Sequence, residues 1–303
     1  RVLEKFQHIG SVARLPLEET LNGRTSSLID SLMIRAADAR GIGVPLTRHQ
    51  KRTGHIEGGY VHALEPGLYD WVCVLDFKSM YPSIIIDRNL CFTTLSEKGE
   101  ILTPHGVRFQ TPETRRGLLP ELLKGLMVER DSAKQAEAAA TGAEAEHYRR
   151  VQEAIKILMN SVYGVFASYF YRFTNLDIGA SITAYAREAV RNIITELEGE
   201  GLAVIYGDTD SVFFSSPHDN KAETVEFGEA IAARYSEGAR QLEFEKILHP
   251  FFSHGVKKRY VGKQVWPHEA LVVRGYETRR TDAFSAQVEA LQEIFAQLME
   301  GST

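Results

Sequence analysis

Three aspartates carry the sharpest chemical signal in this sequence of 303 residues. Asp76 ends the apolar run Val72-Cys73-Val74-Leu75, and Asp208 and Asp210 stand two apart in Gly207-Asp208-Thr209-Asp210. An Asp-x-Asp alone is a weak signal and more often a tight turn, because Asp and Thr are common turn formers. An aspartate abutting a buried strand is harder to excuse, since an unpaired buried carboxylate costs several kcal/mol and needs a cation. If that strand and the turn are sheet neighbours, carboxylates converge at one edge. Hard oxygen ligands with room left for water suit Mg²⁺, which takes one or two carboxylates together with substrate phosphates.

Cations form a second group. Lys156 and Asn160 are four apart, with Tyr163 and Gly164 continuing that face, and Arg130 and Lys134 are also four apart. Such spacing puts each pair on one side of a helix. Either pair alone reads as a solvated face. Two pairs in consecutive helices suggest inward-pointing cations, which would repel unless a polyanion such as a triphosphate lies between them. The third group is Lys257-Lys258-Arg259-Tyr260 with Lys263, Arg274, Arg279 and Arg280. Seven basic residues meet only Glu269 and Glu277 over 257–280, with Tyr260, Trp266 and Tyr276 interleaved. That is the local footprint of nucleic-acid backbone binding, or else a basic surface sheet.

The elements that must position these groups are legible from periodicity. Helical spacing is expected over Thr25–Arg40, followed by a linker over Gly41–His55 rich in Gly, Pro and cations. Trp71–Phe77 reads as a strand buried on both faces, and Tyr81-Pro82-Ser83 as the start of a short helix. Gly117–Gly164 reads as two long helices turning at Thr141-Gly142. Leu118, Leu122 and Leu126 stripe the first; Ile155, Leu158, Met159 and Val162 stripe the second. A helix over Asn175–Glu198 precedes two strands, Leu202–Tyr206 and Ser211–Ser215, with the acids at the hairpin tip. A helix (Lys221–Gly238), a strand (Leu242–Leu248) containing Glu243 and Glu245, short strands in Val256–Val273 and a helix over Asp282–Met299 complete the pattern.

Composition narrows the class. Hydrophobic residues are 44% and charged residues 25%, so the chain is neither disordered nor fibrous. Lys+Arg is 35 against Asp+Glu 40, a net charge of −5, so any polyanionic partner must meet locally concentrated cations. Two cysteines, Cys73 and Cys91, exclude a disulfide scaffold and a four-thiolate zinc site, and read as small buried apolar residues. No run approaches the ~20 apolar residues of a membrane helix, and the start lacks a signal-peptide core and a Met. The sequence reads as a piece of a longer chain from a soluble, reducing compartment, with no membrane partner.

Five stretches, in order, carry a resemblance. Asp76-Phe77-Lys78-Ser79-Met80-Tyr81-Pro82-Ser83-Ile84-Ile85 resembles motif A of the family B DNA polymerases. Lys156-Ile157-Leu158-Met159-Asn160-Ser161-Val162-Tyr163-Gly164 resembles their motif B, and Tyr206-Gly207-Asp208-Thr209-Asp210-Ser211 their motif C. Lys257-Lys258-Arg259-Tyr260 is similar to the primer-gripping motif, and Gly58-Gly59-Tyr60-Val61 to the segment joining exonuclease and polymerase modules. Order and spacing agree over about residues 55–285, with a flavour nearest the archaeal replicative enzymes. Met80 stands where Leu is more usual, a volume-conserving change.

The resemblance implies an α+β right hand. An antiparallel palm sheet would occupy 58–116 and 168–280, helical-hairpin fingers 117–167, and the start of a thumb 281–303. Residues 1–57 would be an exonuclease-domain remnant and linker, without the acidic pattern of a proofreading site. The implied reaction is attack of a primer 3′-hydroxyl on a dNTP, templated by DNA, with two Mg²⁺ ions, for which Mn²⁺ can substitute. Asp76, Asp210 and the Phe77 carbonyl are the implied metal ligands, supported by Asp208, with Glu245 a loose match nearby. Arg130, Lys134, Lys156 and Asn160 match residues that hold the triphosphate, and Lys156 matches a proton donor to pyrophosphate. Ser79 and Met80 flank the nucleotide, Tyr81 stacks under its sugar, and Tyr163 and Gly164 lie against the nascent pair. Gly58, Gly59, Tyr60, Lys257, Lys258, Arg259, Tyr260 and Arg279 match DNA contacts. With one thumb helix, DNA binding is expected to be weak, distributive and salt-sensitive. A sliding clamp would engage parts outside this sequence, and a prokaryotic source would place the chain in the cytoplasm at the nucleoid. Two other classes fit parts of the pattern. A sugar-nucleotide transferase shares Asp-x-Asp and Mg²⁺ but needs neither the Lys156/Asn160 face nor the basic strands. An inactivated polymerase serving as scaffold has no reason to keep Asp76, Asp210, Lys156 and Asn160 together.

Overall fold

The apolar run that ends in Asp76 becomes an inner strand because it has a hydrogen-bonding neighbour on each side. Val72 to Leu75, and Phe77, are all buried. The computed structural model describes residues 2–46, 56–62, 65–168, 171–236, 241–276 and 284–300. The first described elements are helices α1 (Val2–Ala13), α2 (Leu17–Asn22) and α3 (Thr25–Asp38), then strands β1 (Val61–His62), β2 (Gly67–Tyr69) and β3 (Val72–Lys78). Helix α4 (Met80–Asp87) and strands β4 (Ile101–Leu102) and β5 (Arg108–Phe109) lead into α5 (Leu118–Ala139) and α6 (Gly142–Phe166). Then come α7 (Leu176–Gly199), β6 (Val204–Asp208), β7 (Ser211–Ser215) and α8 (Lys221–Arg234). The order closes with β8 (Gln241–Ser253), β9 (Tyr260–Trp266), β10 (Ala270–Arg274) and α9 (Ser285–Glu300). Helices and an antiparallel sheet together make an α+β chain. Among the described residues no helix is long and apolar enough to cross a membrane.

The chain clusters into two compact units: Arg1–Glu57 with Ser79–Tyr185, and Gly58–Lys78 with Ala186–Thr303. The first is mainly helical. Its α5 and α6, of 22 and 25 residues, pack against each other and are about 33 and 38 Å long at 1.5 Å per residue. Ile155, Leu158, Met159 and Val162 are buried, as their spacing requires. On α5 the expected stripe is shifted: Leu118, Leu119, Leu123 and Leu126 are buried, whereas Leu122 is only half-buried. The reason is that α5 packs against α3 and α4 as well as α6, which widens its apolar arc. Asn89 fixes the start of α5. Its amide donates to the Gln110 and Arg115 carbonyls at 2.8 Å each, and its Oδ1 accepts from Gly117 N at 2.9 Å.

In the second unit the described strands form one sheet in the order β1-β6-β7-β3-β8-β9-β10, with β2 also paired to β8. One face is an aromatic core in which Tyr206, Phe213, Phe251 and Tyr260 pack with Val72, Val74, Leu248 and Val272. Helix α8 covers β3 and β8. Its start is capped by Asn220, whose side chain accepts from Glu223 N at 3.0 Å. Several boundaries differ from periodicity alone. β6 begins at Val204 and runs on through Asp208, because pairing with β1 and β7 extends it to the turn. β8 continues past Leu248 to Ser253, since β2 and β9 supply partners beyond Pro250. α8 ends at Arg234 rather than Gly238. The two-residue strands β1, β4 and β5 carry too little pattern to be seen in sequence. Of the linker expected at 41–55, residues 42–46 carry no regular structure and 47–55 lie outside the described residues.

Phe213 touches Tyr206, Phe251 and Tyr260 at ring-centroid distances of 5.3, 5.8 and 5.4 Å. Phe213→Ala is therefore expected to cost about 3–5 kcal/mol of unfolding free energy, measured by urea denaturation. A loss below about 1 kcal/mol would show that the cluster is not the core of the sheet unit.

Candidate active site

Strand pairing brings the acids together. Within the sheet unit Asp76 lies opposite Ser211 on β7 and opposite Glu243 on β8. Phe77 N donates to the Asp210 carbonyl at 2.8 Å, which locks the turn residue to the strand bearing Asp76. β3 is buried, so Asp76 sits in poor solvent. Burial first, then the charges of Asp210 and Glu245, push its carboxyl up to about 7, against a smaller opposing pull from Lys246. Asp210 opens to solvent on its outer side, yet the protein around it and then Asp208 also hold it above the usual range.

The turn that presents Asp210 is strained. Thr209 has φ 58°, a left-handed conformation that a β-branched residue rarely adopts, and Asp210 N donates back to the Asp208 carbonyl at 2.6 Å. That strain persists only where the surroundings impose it. The surroundings here are the segment before β1: Thr209 N donates to the Tyr60 carbonyl at 2.9 Å. A Cβ on Gly59 would stand 2.7 Å from Thr209 Cγ2, so only glycine lets the backbone approach this closely. Tyr60 is in turn fixed by the Arg191 guanidinium, 4.8 Å from its ring centre, and Arg187 Nη1 donates to the Gly58 carbonyl at 2.9 Å. Gly58, Gly59 and Tyr60, expected as DNA contacts, thus lie against the acid turn.

The basic cluster begins beside the same turn. Lys257, Lys258 and Arg259 are exposed; Lys258 N donates to the Tyr206 hydroxyl at 3.0 Å, and its Nζ lies 3.2 Å from Asp208 Oδ1. Tyr260 differs from its neighbours, for its ring is buried in the aromatic core and burial pushes its hydroxyl up to about 12. It offers packing rather than a surface contact. Arg279 lies outside the described residues.

The other expected site residues belong to the helical unit. Ser79, at φ 56°, precedes α4, on which Met80 is buried. Tyr81 and Tyr163 meet with ring centres 4.5 Å apart and planes tilted by 39°. On α6, Lys156, Asn160 and Gly164 form one exposed face opposite the buried stripe. On α5, Lys134 is half-buried and Arg130 is buried, with its Nε lacking a hydrogen-bond partner among the described residues. A buried guanidinium N–H without a protein acceptor is unusual.

Among the described residues no group of three or more His, Cys, Asp and Glu is arranged to enclose a metal ion by itself. The donor set at Asp76 and Asp210 is nonetheless all oxygen, partly buried and mutually repelling. It fits a hard divalent cation that completes its shell with water or phosphate oxygens. Sequence reading singled out Glu243 and Glu245 only loosely and missed Lys246; the alternation Glu243-Phe244-Glu245-Lys246 beside an acid-bearing strand was the available signal.

Comparison with known proteins bears on the family. A family profile described as DNA polymerase family B matches residues 15–303. The DNA polymerase delta catalytic subunit of Drosophila melanogaster is 31% identical over 93% of this chain, covering 29% of that protein. That of Caenorhabditis elegans is 32% identical over 93% of the chain and 29% of its own length. That of Candida albicans is 29% identical over 98% of the chain and 31% of its own length. The chain thus spans under a third of these relatives. All three come from eukaryotes, so a prokaryotic, nucleoid-associated setting finds no support in them.

Two results are expected. Asp76→Asn removes a half-buried charge that Asp210 and Glu245 repel, so in chelator the thermal midpoint should rise by several degrees. About 1 kcal/mol moves a domain of this size by about 2–4 °C. The penalty sets in as pH climbs from the ordinary carboxylate value of 3.8 through about 7, so the gain should be full above pH 7 and fade toward pH 4. No gain at any pH would mean that Asp76 is not destabilised. Gly59→Ala should release the Thr209 turn and lower the unfolding free energy by about 1–3 kcal/mol, measured by urea denaturation. Unchanged stability would show that the turn does not depend on this approach. The profile, the relatives and the ordered motifs agree on one assignment: the chain belongs to the family B DNA polymerases.

Proposed function

We propose that this chain is the polymerase core of its protein, extending a primer 3′-hydroxyl on template DNA with dNTPs and releasing pyrophosphate. The observation that carries the reading is the convergence of Asp76 and Asp210 across β3 and the β6–β7 turn, with both carboxyls held above their ordinary range. In this reading 58–116 and 168–280 are the palm, including α4 and the β4–β5 hairpin that cluster with the helical unit. The α5–α6 hairpin within 117–167 is the fingers, and α9 begins the thumb. Residues 1–57 precede the palm and are assigned no proofreading role.

Two Mg²⁺ ions held by Asp76, Asp210 and the Phe77 carbonyl, with Asp208 in support, would activate the primer hydroxyl and stabilise charge on the departing pyrophosphate. The chain's own residues do the rest. Arg130, Lys134, Lys156 and Asn160 bind the triphosphate, with the buried Arg130 Nε, which has no partner among the described residues, as the supporting observation. Lys156, on the exposed face of α6, delivers a proton to the leaving oxygen. Tyr81, seated against Tyr163, stacks beneath the sugar and leaves no room for a 2′-hydroxyl, while Ser79, Met80 and Gly164 shape the walls. Lys257, Lys258 and Arg259 hold primer phosphates, and Gly58, Gly59 and Tyr60 brace the turn next to them.

The test is primer extension with Mg²⁺. Asp210→Asn and Lys156→Ala are each expected to lower the rate at least about 100-fold, the scale of removing one transition-state charge partner. Rates equal to the parent chain would overturn the reading, and sugar-nucleotide transfer without primer extension would favour the transferase class instead. Tyr81→Ala should raise ribonucleotide incorporation relative to deoxyribonucleotide by about tenfold or more. An unchanged ratio would remove Tyr81 as the gate.

A further inference from the structure

Lys246 is a buried cation that the mechanism above does not use. Its side chain is 8% exposed, whereas that of Lys258, paired to Asp208, is 64% exposed. Lys246 Nζ lies 3.0 Å from Glu245 Oε2. Adjacent residues on a regular strand point to opposite faces, so residues 245 and 246 should not meet. The register explains why they do. Val74 pairs with Lys246 but Leu75 pairs with Phe244, leaving Glu245 as an extra residue in β8. Such a bulge re-aims side chains locally. Its place is telling, for it falls opposite the strand segment that leads into Asp76, two residues from the Asp76–Glu243 pair.

The charges around Asp76 give the bulge a purpose. Asp210, Glu245 and Glu243 all repel the Asp76 carboxylate, and Lys246 is the cation that acts against them. An exposed pair such as Lys258–Asp208 is screened by water and salt and contributes little. A buried ammonium is screened far less. We infer that Lys246 is a positioning residue of the carboxylate site: a fixed internal cation, aimed by the β8 bulge, that tethers Glu245 and offsets the repulsion around Asp76 until divalent cations arrive. The inference rests on the proposed reading that Asp76 and Asp210 receive such ions, and it assigns Lys246 no contact with substrate.

A structural lysine and a counter-ion differ in one measurable respect. Loss of a structural lysine destabilises the protein equally with and without metal. Loss of a counter-ion is felt mainly without metal, because bound Mg²⁺ takes over the same duty. The experiment is thermal unfolding of the 303-residue chain in chelator and in saturating Mg²⁺, for wild type, Lys246→Met, Lys246→Arg, and Lys246→Met combined with Asp76→Asn. The Mg²⁺-induced rise in midpoint is expected to be at least about 1.5-fold larger in Lys246→Met than in wild type. Lys246→Arg should match wild type, and Asp76→Asn should abolish the excess. If Lys246→Met does not fold in either buffer, Lys246→Gln, which keeps a polar head without the charge, carries the same comparison. An equal rise in wild type and the charge-less variants, or an excess that survives Asp76→Asn, overturns the inference while leaving the cation site intact. Absence of any Mg²⁺ effect in wild type would sink the cation-site reading and this inference with it.

Discussion

Like-charge repulsion inside a sheet is the constraint around which the rest of this molecule is arranged. Folding the Val-rich strand β3 into the middle of the sheet is favourable, and it carries Asp76 with it into surroundings where a carboxylate is poorly solvated. Pairing with β7 and β8 then brings Asp210, Glu243 and Glu245 close. A fold selected for stability alone would have placed an apolar or amide side chain at 76. The aromatic core beneath the strands supplies the stabilising margin that lets the sheet tolerate this cluster, and Lys246 and Lys258 each moderate it from a different side.

The sheet and the helices were largely legible before any coordinates, for definite reasons. The run 72–77 could only be an inner strand, because five of its residues are apolar and no polar alternation offers a solvent face. The stripe on α6 announced its buried side, and by subtraction the exposed face of Lys156 and Asn160. The stripe on α5 left out Leu119 and Leu123, since a helix that meets three neighbours buries more than a single row, and it included Leu122, which is only half-buried. Short strands such as β1, β4 and β5 owe their existence to partners distant in sequence, and no local pattern encodes a partner.

The site was legible as a set of residues and not as a mechanism of support. Asp76, Asp208 and Asp210 stood out by type and spacing. The extra residue at Glu245 did not, because a bulge is a property of two strands and only one of them can be read at a time. The same holds for Tyr260, which follows three exposed cations and looks like a fourth surface contact until its ring is seen in the core. Gly59 carried a signal of a kind, a glycine doublet before a strand, yet its meaning lies 150 residues away at Thr209.

The hold on Thr209 runs from amide to carbonyl, with no side-chain atom in the link. Replacing the threonine hydroxyl at 209 would therefore leave donor and acceptor in place. A side-chain scan of the region would register the tether only indirectly, through the neighbouring glycine and the ring of Tyr60 that Arg191 holds. Exchanging the peptide nitrogen of residue 209 for an ester oxygen, by chemical synthesis or amber suppression with a hydroxy acid, deletes the donor alone. Geometry at the acid-bearing hairpin is in this sense secured by polymer backbone, a support that residue-by-residue mutagenesis is built to overlook.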